Sequence, residues 1–143
     1  MAAVLEAVHE KAVIGDLVWF GQINDVAISA PTVRNPLFIA PFDLNLRQIA
    51  FINSTIFTGE DTTTLHHNII DGGPEGAGTA QFANIDYVSG TDLPVGKTVI
   101  FDGTTTVRAF TQGDIVELEA EEISTGHSAV FPNCTAYIVA RAA

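Results

Sequence analysis

With 143 residues and a single cysteine, Cys134, the chain has room for one domain and no means of making an intrachain disulfide or a Cys/His zinc quartet. Seventeen Asp and Glu against six Lys and Arg give a net charge of −11, which repels nucleic-acid phosphates and anionic membrane surfaces, and no apolar run approaches the ~18 residues of a spanning helix. Charged residues make up only 16%, against roughly 25% in an average soluble domain, so Thr, Ser, Asn and Ala cover much of the surface and assembly with neighbours is expected.

Residues 1–11 lack a basic start and carry Glu6, His9 and Glu10, so no secretory signal is expected. Val4, Leu5, Val8 and Ala12 fall at helical spacing, with Glu6, Glu10 and Lys11 opposite. A helix this short is marginal in water and must dock on its own body or on a partner. Residues 1–20 therefore read as an N-terminal arm with the first strand, and residues 21–143 as a β-sandwich domain.

From there the pattern is β throughout. Apolar runs of strand length recur at residues 12–20, 26–29, 37–42, 44–57, 63–70, 81–88, 95–101, 105–111, 115–123 and 128–141, punctuated by Gly21, Asn24-Asp25, Asn35-Pro36, Gly59, Gly90, Gly103, Gly113 and Gly126. Short strands without helical patterns between them predict an all-β fold, a single antiparallel sandwich of jelly-roll type. In residues 12–20, Val13, Leu17 and Trp19 face one way and Ile14, Val18 and Phe20 the other, so both faces want cover. The apolar phase slips between Leu46 and Ile49, predicting a bulge near Arg47-Gln48. Asp102-Gly103 is the strongest hairpin signal. In residues 116–121, Val116, Leu118 and Ala120 point to the core while Glu117, Glu119 and Glu121 form a solvated face. The segment from Asp71 to Gly78 reads as an exposed, mobile loop, since the Lys or Ser/Thr and the helix of a phosphate-cradling loop are missing.

No set of residues reads as a catalytic centre. His66 and His67 are adjacent, so on a strand they point to opposite faces and cannot share a metal. His67 shares a face with Leu65 and Ile69 and reads as a satisfied core histidine, while His9 and His127 stand alone. Cys134 alternates with Pro132, Ala136 and Ile138 and reads as a small buried hydrophobe, not a nucleophile. Ala40-Pro-Phe-Asp-Leu44 and Ile85-Asp86-Tyr87 resemble deoxyuridine triphosphatase motifs, but the phosphate loops of that family do not follow. No enzyme, cofactor or metal is expected.

Residues 38–50, Phe-Ile-Ala-Pro-Phe-Asp-Leu-Asn-Leu-Arg-Gln-Ile-Ala, leading to Thr58-Gly-Glu-Asp-Thr62, resemble the opening hairpin of β-sandwich virion proteins of tailed bacteriophages. Phe110-Thr-Gln-Gly-Asp-Ile115 is similar to the turn that opens their late strand, and residues 133–141 to their closing strand. Within that group, size and single-domain build resemble the capsid decoration (cement) proteins. The resemblance implies a homotrimer on the outer capsid surface, with the major capsid protein as partner and without catalysis. Val4, Leu5, Val8, Trp19 and Phe20 are the expected contact residues. A head-fibre or carbohydrate-binding sandwich is the other reading, with Trp19 and Tyr87 as sugar platforms.

Overall fold

A computed structural model describes residues 16–23, 26–27, 32–123, 130–131 and 134–143. The expected contact residues Val4, Leu5 and Val8 lie outside them. Eleven strands follow in chain order: β1 (Leu17–Ile23), β2 (Val26–Ala27), β3 (Thr32–Ile39), β4 (Leu44–Asn53), β5 (Thr64–Gly73), β6 (Ala80–Tyr87), β7 (Gly96–Asp102), β8 (Arg108–Phe110), β9 (Ile115–Ile123), β10 (Val130–Phe131) and β11 (Cys134–Ala142). The described residues contain no helix.

Two antiparallel sheets face each other as the predicted sandwich. Sheet A runs β1-β11-β4-β7, with β8 also on β4; the small ribbon of β2 and β10 is sheet B; and sheet C, which faces sheet A, runs β3-β9-β5-β6. Residues 17–20, expected with the arm, are the first four residues of sheet A. Leu44, Leu46, Ile49 and Phe51 of β4 meet Ile69, Val116 and Leu118 of sheet C, with Ala136 and Ile138 of β11 beside them. These alternating side chains form the dry layer between sheets. Aromatic rings close one flank: Trp19 stacks on Phe38 at 5.6 Å, and Phe38, Phe110, Phe82 and Phe101 follow edge to face or tilted.

The predicted bulge is found in β4. Gln48 pairs with Val139 and Leu46 with Ala140, which leaves Arg47 without an opposite residue and shifts the apolar phase by one. Asp102-Gly103 does not make a hairpin. β7 pairs with residues 48–53 of β4, and β8 with residues 44–46. They are therefore two pieces of one strand, and residues 103–107 leave the sheet between them. The excursion sits at the Arg47 bulge: Gly103 N–H donates to Arg47 O at 2.7 Å, and a Cβ on Gly103 would lie 2.3 Å from Leu46 O. Thr104 donates its amide and hydroxyl to the Asp102 carboxylate, which holds that carboxyl below its ordinary range. The dipeptide thus serves a side loop, with no reversal.

Residues 38–50 form a corner between sheets and no hairpin, since β3 lies in sheet C and β4 in sheet A. The later turn does open β9: Gly113 adopts φ 95°, its N–H donates to Ala40 O, and the Asp114 carboxylate accepts Thr111 N–H.

Candidate interaction surface

The outer faces of the two sheets differ in chemistry. On sheet C the outward residues line up across four strands: Thr32, Glu121, His66 and Asp86 in one row, Arg34, Glu119, Asn68 and Asn84 in the next. Arg34 Nε donates to Glu119 at 2.8 Å and its Nη1 lies 3.6 Å from Glu117. Asn68 donates to both Glu119 and Glu121 at 3.2 Å, and His66 Nδ1 stands 2.6 Å from Asp86. The glutamates are therefore not the solvated face their alternation predicts; Glu117 is only 7% exposed. Neighbouring strands supply Arg34 and Asn68 as partners, which a carboxylate needs when taken from water.

The loop from Asp71 to Gly78 closes over that carboxylate. It is the β5–β6 connection and is pinned: Arg34 Nη1 donates to Gly78 O at 2.9 Å, Gly78 N–H to Gly72 O at 2.8 Å, and Arg108 pairs with Asp71 at 2.6 Å while lying over the Phe82 ring. A Cβ on Gly72 would come within 2.9 Å of Glu117 Oε2, so glycine lets the loop backbone approach. Asp71, Gly72 and Gly78 of the expected loop are thus tied down, while Pro74, Glu75 and Ala77 between them are exposed as predicted.

Sheet A presents the opposite chemistry. One outward row runs Phe20, Tyr137, Ala50, Val99, and the next Gln22, Thr135, Ile52, Lys97, with Val18 beside Val139. Phe20 is 66% exposed, Val18 46%, Val99 43% and Ile52 38%. The Phe20 and Tyr137 rings lie 5.5 Å apart, and Lys97 Nζ sits 4.8 Å above the Tyr137 ring. Apolar side chains contiguous over four strands mark a surface that takes a partner more readily than scattered ones do. At one end of this face Gln22, Ile52, Asn53, Ser54, Cys134 and Thr135 line a hollow of about 250 Å³. The Asn53 amide beside it is buried, with neither its oxygen nor its nitrogen hydrogen-bonded.

Of the expected contact residues, Phe20 points outward into this face. Trp19 points the other way, onto Phe38 in the core. Trp19 and Tyr87 therefore make no sugar platform: Tyr87 is 0% exposed and burial raises its phenol pKa. The face itself went unforeseen from Tyr137, Ile52 and Val99, because their shared side depends on strand pairing.

The reactive side chains are in the core. His67 is 2% exposed, its Nδ1 2.8 Å from Tyr87 Oη, and its ring 4.8 Å from Phe51. Burial lowers its pKa to about 3, so it is a neutral core histidine at physiological pH, as its neighbours Leu65 and Ile69 predict. Cys134 faces inward, and burial pushes its thiol up to about 11, which leaves almost no thiolate near neutrality. Glu122 follows Ala120 and Leu118 into the interior, diagonal to His67 across the β5–β9 pair. Among the described residues no three His, Cys, Asp or Glu are grouped to hold a metal ion. No family model matches the chain, and no curated protein matches it.

Proposed function

We propose that the protein is a structural, non-catalytic virion component that decorates a tailed-phage capsid, with the outer face of sheet A against the major capsid protein. The observation that carries this reading is the contrast between the two outer faces. Across the middle of sheet C, Arg34, Asn68 and His66 are paired with carboxylates, and its exposed apolar residues Ile39 and Ile123 stand apart at strand ends, whereas Val18, Phe20, Ile52 and Val99 are exposed together on sheet A. Burying each such side chain contributes roughly 1.5–3 kcal/mol, and repetition around a particle adds by avidity. The resemblance of residues 110–115, the turn that opens β9, to phage virion sandwiches supports a capsid as that partner. The arm residues Val4, Leu5 and Val8 extend the contact.

The test uses particles stripped of the native protein and re-decorated with the full chain. Phe20→Ser and Val99→Asp should each lower occupancy at least ~10-fold, with the far-ultraviolet β spectrum unchanged. Asn84→Ala, on the other sheet, should leave occupancy as it is. Deleting residues 1–10 reports the share of the arm. Decoration by both sheet A variants at the unmodified level would overturn the reading.

A further inference from the structure

Four edges bound the two sheets: β1 and the β7/β8 line in sheet A, β3 and β6 in sheet C. A sheet edge exposes unpaired N–H and C=O groups, and folded chains guard such edges with proline, charge or bulges. Three of the four are guarded. β3 carries Arg34 and Pro36 and shifts register between Pro36 and Phe38. β6 carries Asp86 and shifts opposite Ile69/Ile70. β7 starts at Gly96, with φ 102°, carries Lys97 and shifts opposite Ile49/Ala50.

β1 has none of these. Its sequence, Leu-Val-Trp-Phe-Gly-Gln-Ile, contains no proline and no charge, and it pairs with β11 over seven residues without a register shift. Among the described residues, none of its backbone groups bonds to anything but β11. In a chain of net charge −11, it is also an edge along which two copies can approach with no carboxylate on the strand.

We propose that β1 is a self-association edge: two copies of the chain pair β1 with β1, antiparallel about a two-fold axis, making sheet A continuous across both. The strand is self-complementary in the register centred on Phe20. Trp19 then lies beside the partner's Gly21, a large side chain against the smallest. Leu17 meets the partner's Ile23 on the inner face. Val18 meets the partner's Gln22 on the outer face, and Phe20 meets the partner's Phe20. No like charges are opposed. Seven residues span about 23 Å, a contact smaller than the ~800 Å² per partner of a standard interface. The dimer is accordingly reversible, forming in the micromolar range. The contact makes dimers where the resemblance implies trimers, and it does not depend on the capsid reading.

Sedimentation of the full chain from about 1 to about 200 μM should move from the 15.2 kDa monomer to twice that mass. Val18→Lys with Gln22→Lys places lysines opposite one another at both ends of the pair, and Val18→Glu with Gln22→Glu does the same with glutamates. Each double variant should associate at least ~10-fold more weakly, and a 1:1 mixture should restore the dimer, since every lysine then faces a glutamate. Should a double variant fail to give the β spectrum, hydrogen exchange on the unmodified chain decides: β1 amides should gain protection with concentration. A monomer or a trimer at the highest concentration, no rescue in the mixture of folded variants, or β1 exchange independent of concentration would each overturn the proposal.

Discussion

Protonating His67 in the folded protein means placing a cation between the sheets, against Phe51 and Tyr87. Burial therefore lowers its pKa from 6.5 to about 3. The unfolded chain takes up this proton near pH 6.5, while the folded one resists until about pH 3. Between those values the unfolded state binds more protons, so stability falls as pH falls and the loss levels off below the folded pKa. At about 1.36 kcal/mol for each pH unit, going from about pH 7.5 to about pH 4.5 should cost about 2.5 kcal/mol through this side chain. His67→Gln removes the titration and keeps a neutral polar group in reach of Tyr87 Oη. Urea unfolding followed by Trp19 fluorescence and circular dichroism, at both pH values, gives four free energies. Carboxylates remote from His67 titrate alike in both proteins and cancel in the difference. The unmodified chain should lose about 2.5 kcal/mol more than the variant over that interval. Parallel losses would refute the argument, and would mean that His67 is hydrated or already charged in the fold.

Arg34→Met should destabilise the protein by about 2 kcal/mol in denaturant unfolding, because Glu117 and Glu119 keep their burial and lose their cation. Arg34→Lys should recover less than half, lacking the fork that reaches Glu119 and Gly78 O together. Gly103→Ala should cost about 2–4 kcal/mol, since its Cβ would meet a backbone oxygen that cannot turn aside. Gly90→Ala, at φ 87° with open space around it, should cost only about 1 kcal/mol in the same denaturant unfolding. Iodoacetamide at about pH 8 should alkylate Cys134 at least ~100-fold more slowly in the folded protein than in urea; equal rates would place the thiol at the surface.

The repeating pattern of the chain determined a good deal by itself. Two-residue alternation identified the β class, put Val116, Leu118 and Ala120 on the core side, and sent His67 inward with Leu65 and Ile69. The slip in apolar phase located the bulge at Arg47. Each is a property of one strand, because neighbouring side chains on an extended backbone must point to opposite faces.

What lies beside a strand is not written in that strand. Asn35-Pro36 reads as a turn, yet both residues sit inside β3, where an edge position tolerates a proline that a central strand would not. Asp102-Gly103 carries the local chemistry of a hairpin, but the Arg47 bulge of β4, more than fifty residues earlier, takes up its backbone. Glu117, Glu119 and Glu121 alternate as a wet face and are covered all the same, by Arg34, Asn68 and the glycines of a loop from three other parts of the chain. Likewise Val18 and Phe20 could be assigned a common side from sequence, but only pairing with β11, β4 and β7 joins them to Tyr137, Ile52 and Val99 as one apolar surface. Local alternation sets which way a side chain points; contacts between residues far apart in the chain decide whether anything is there to meet it.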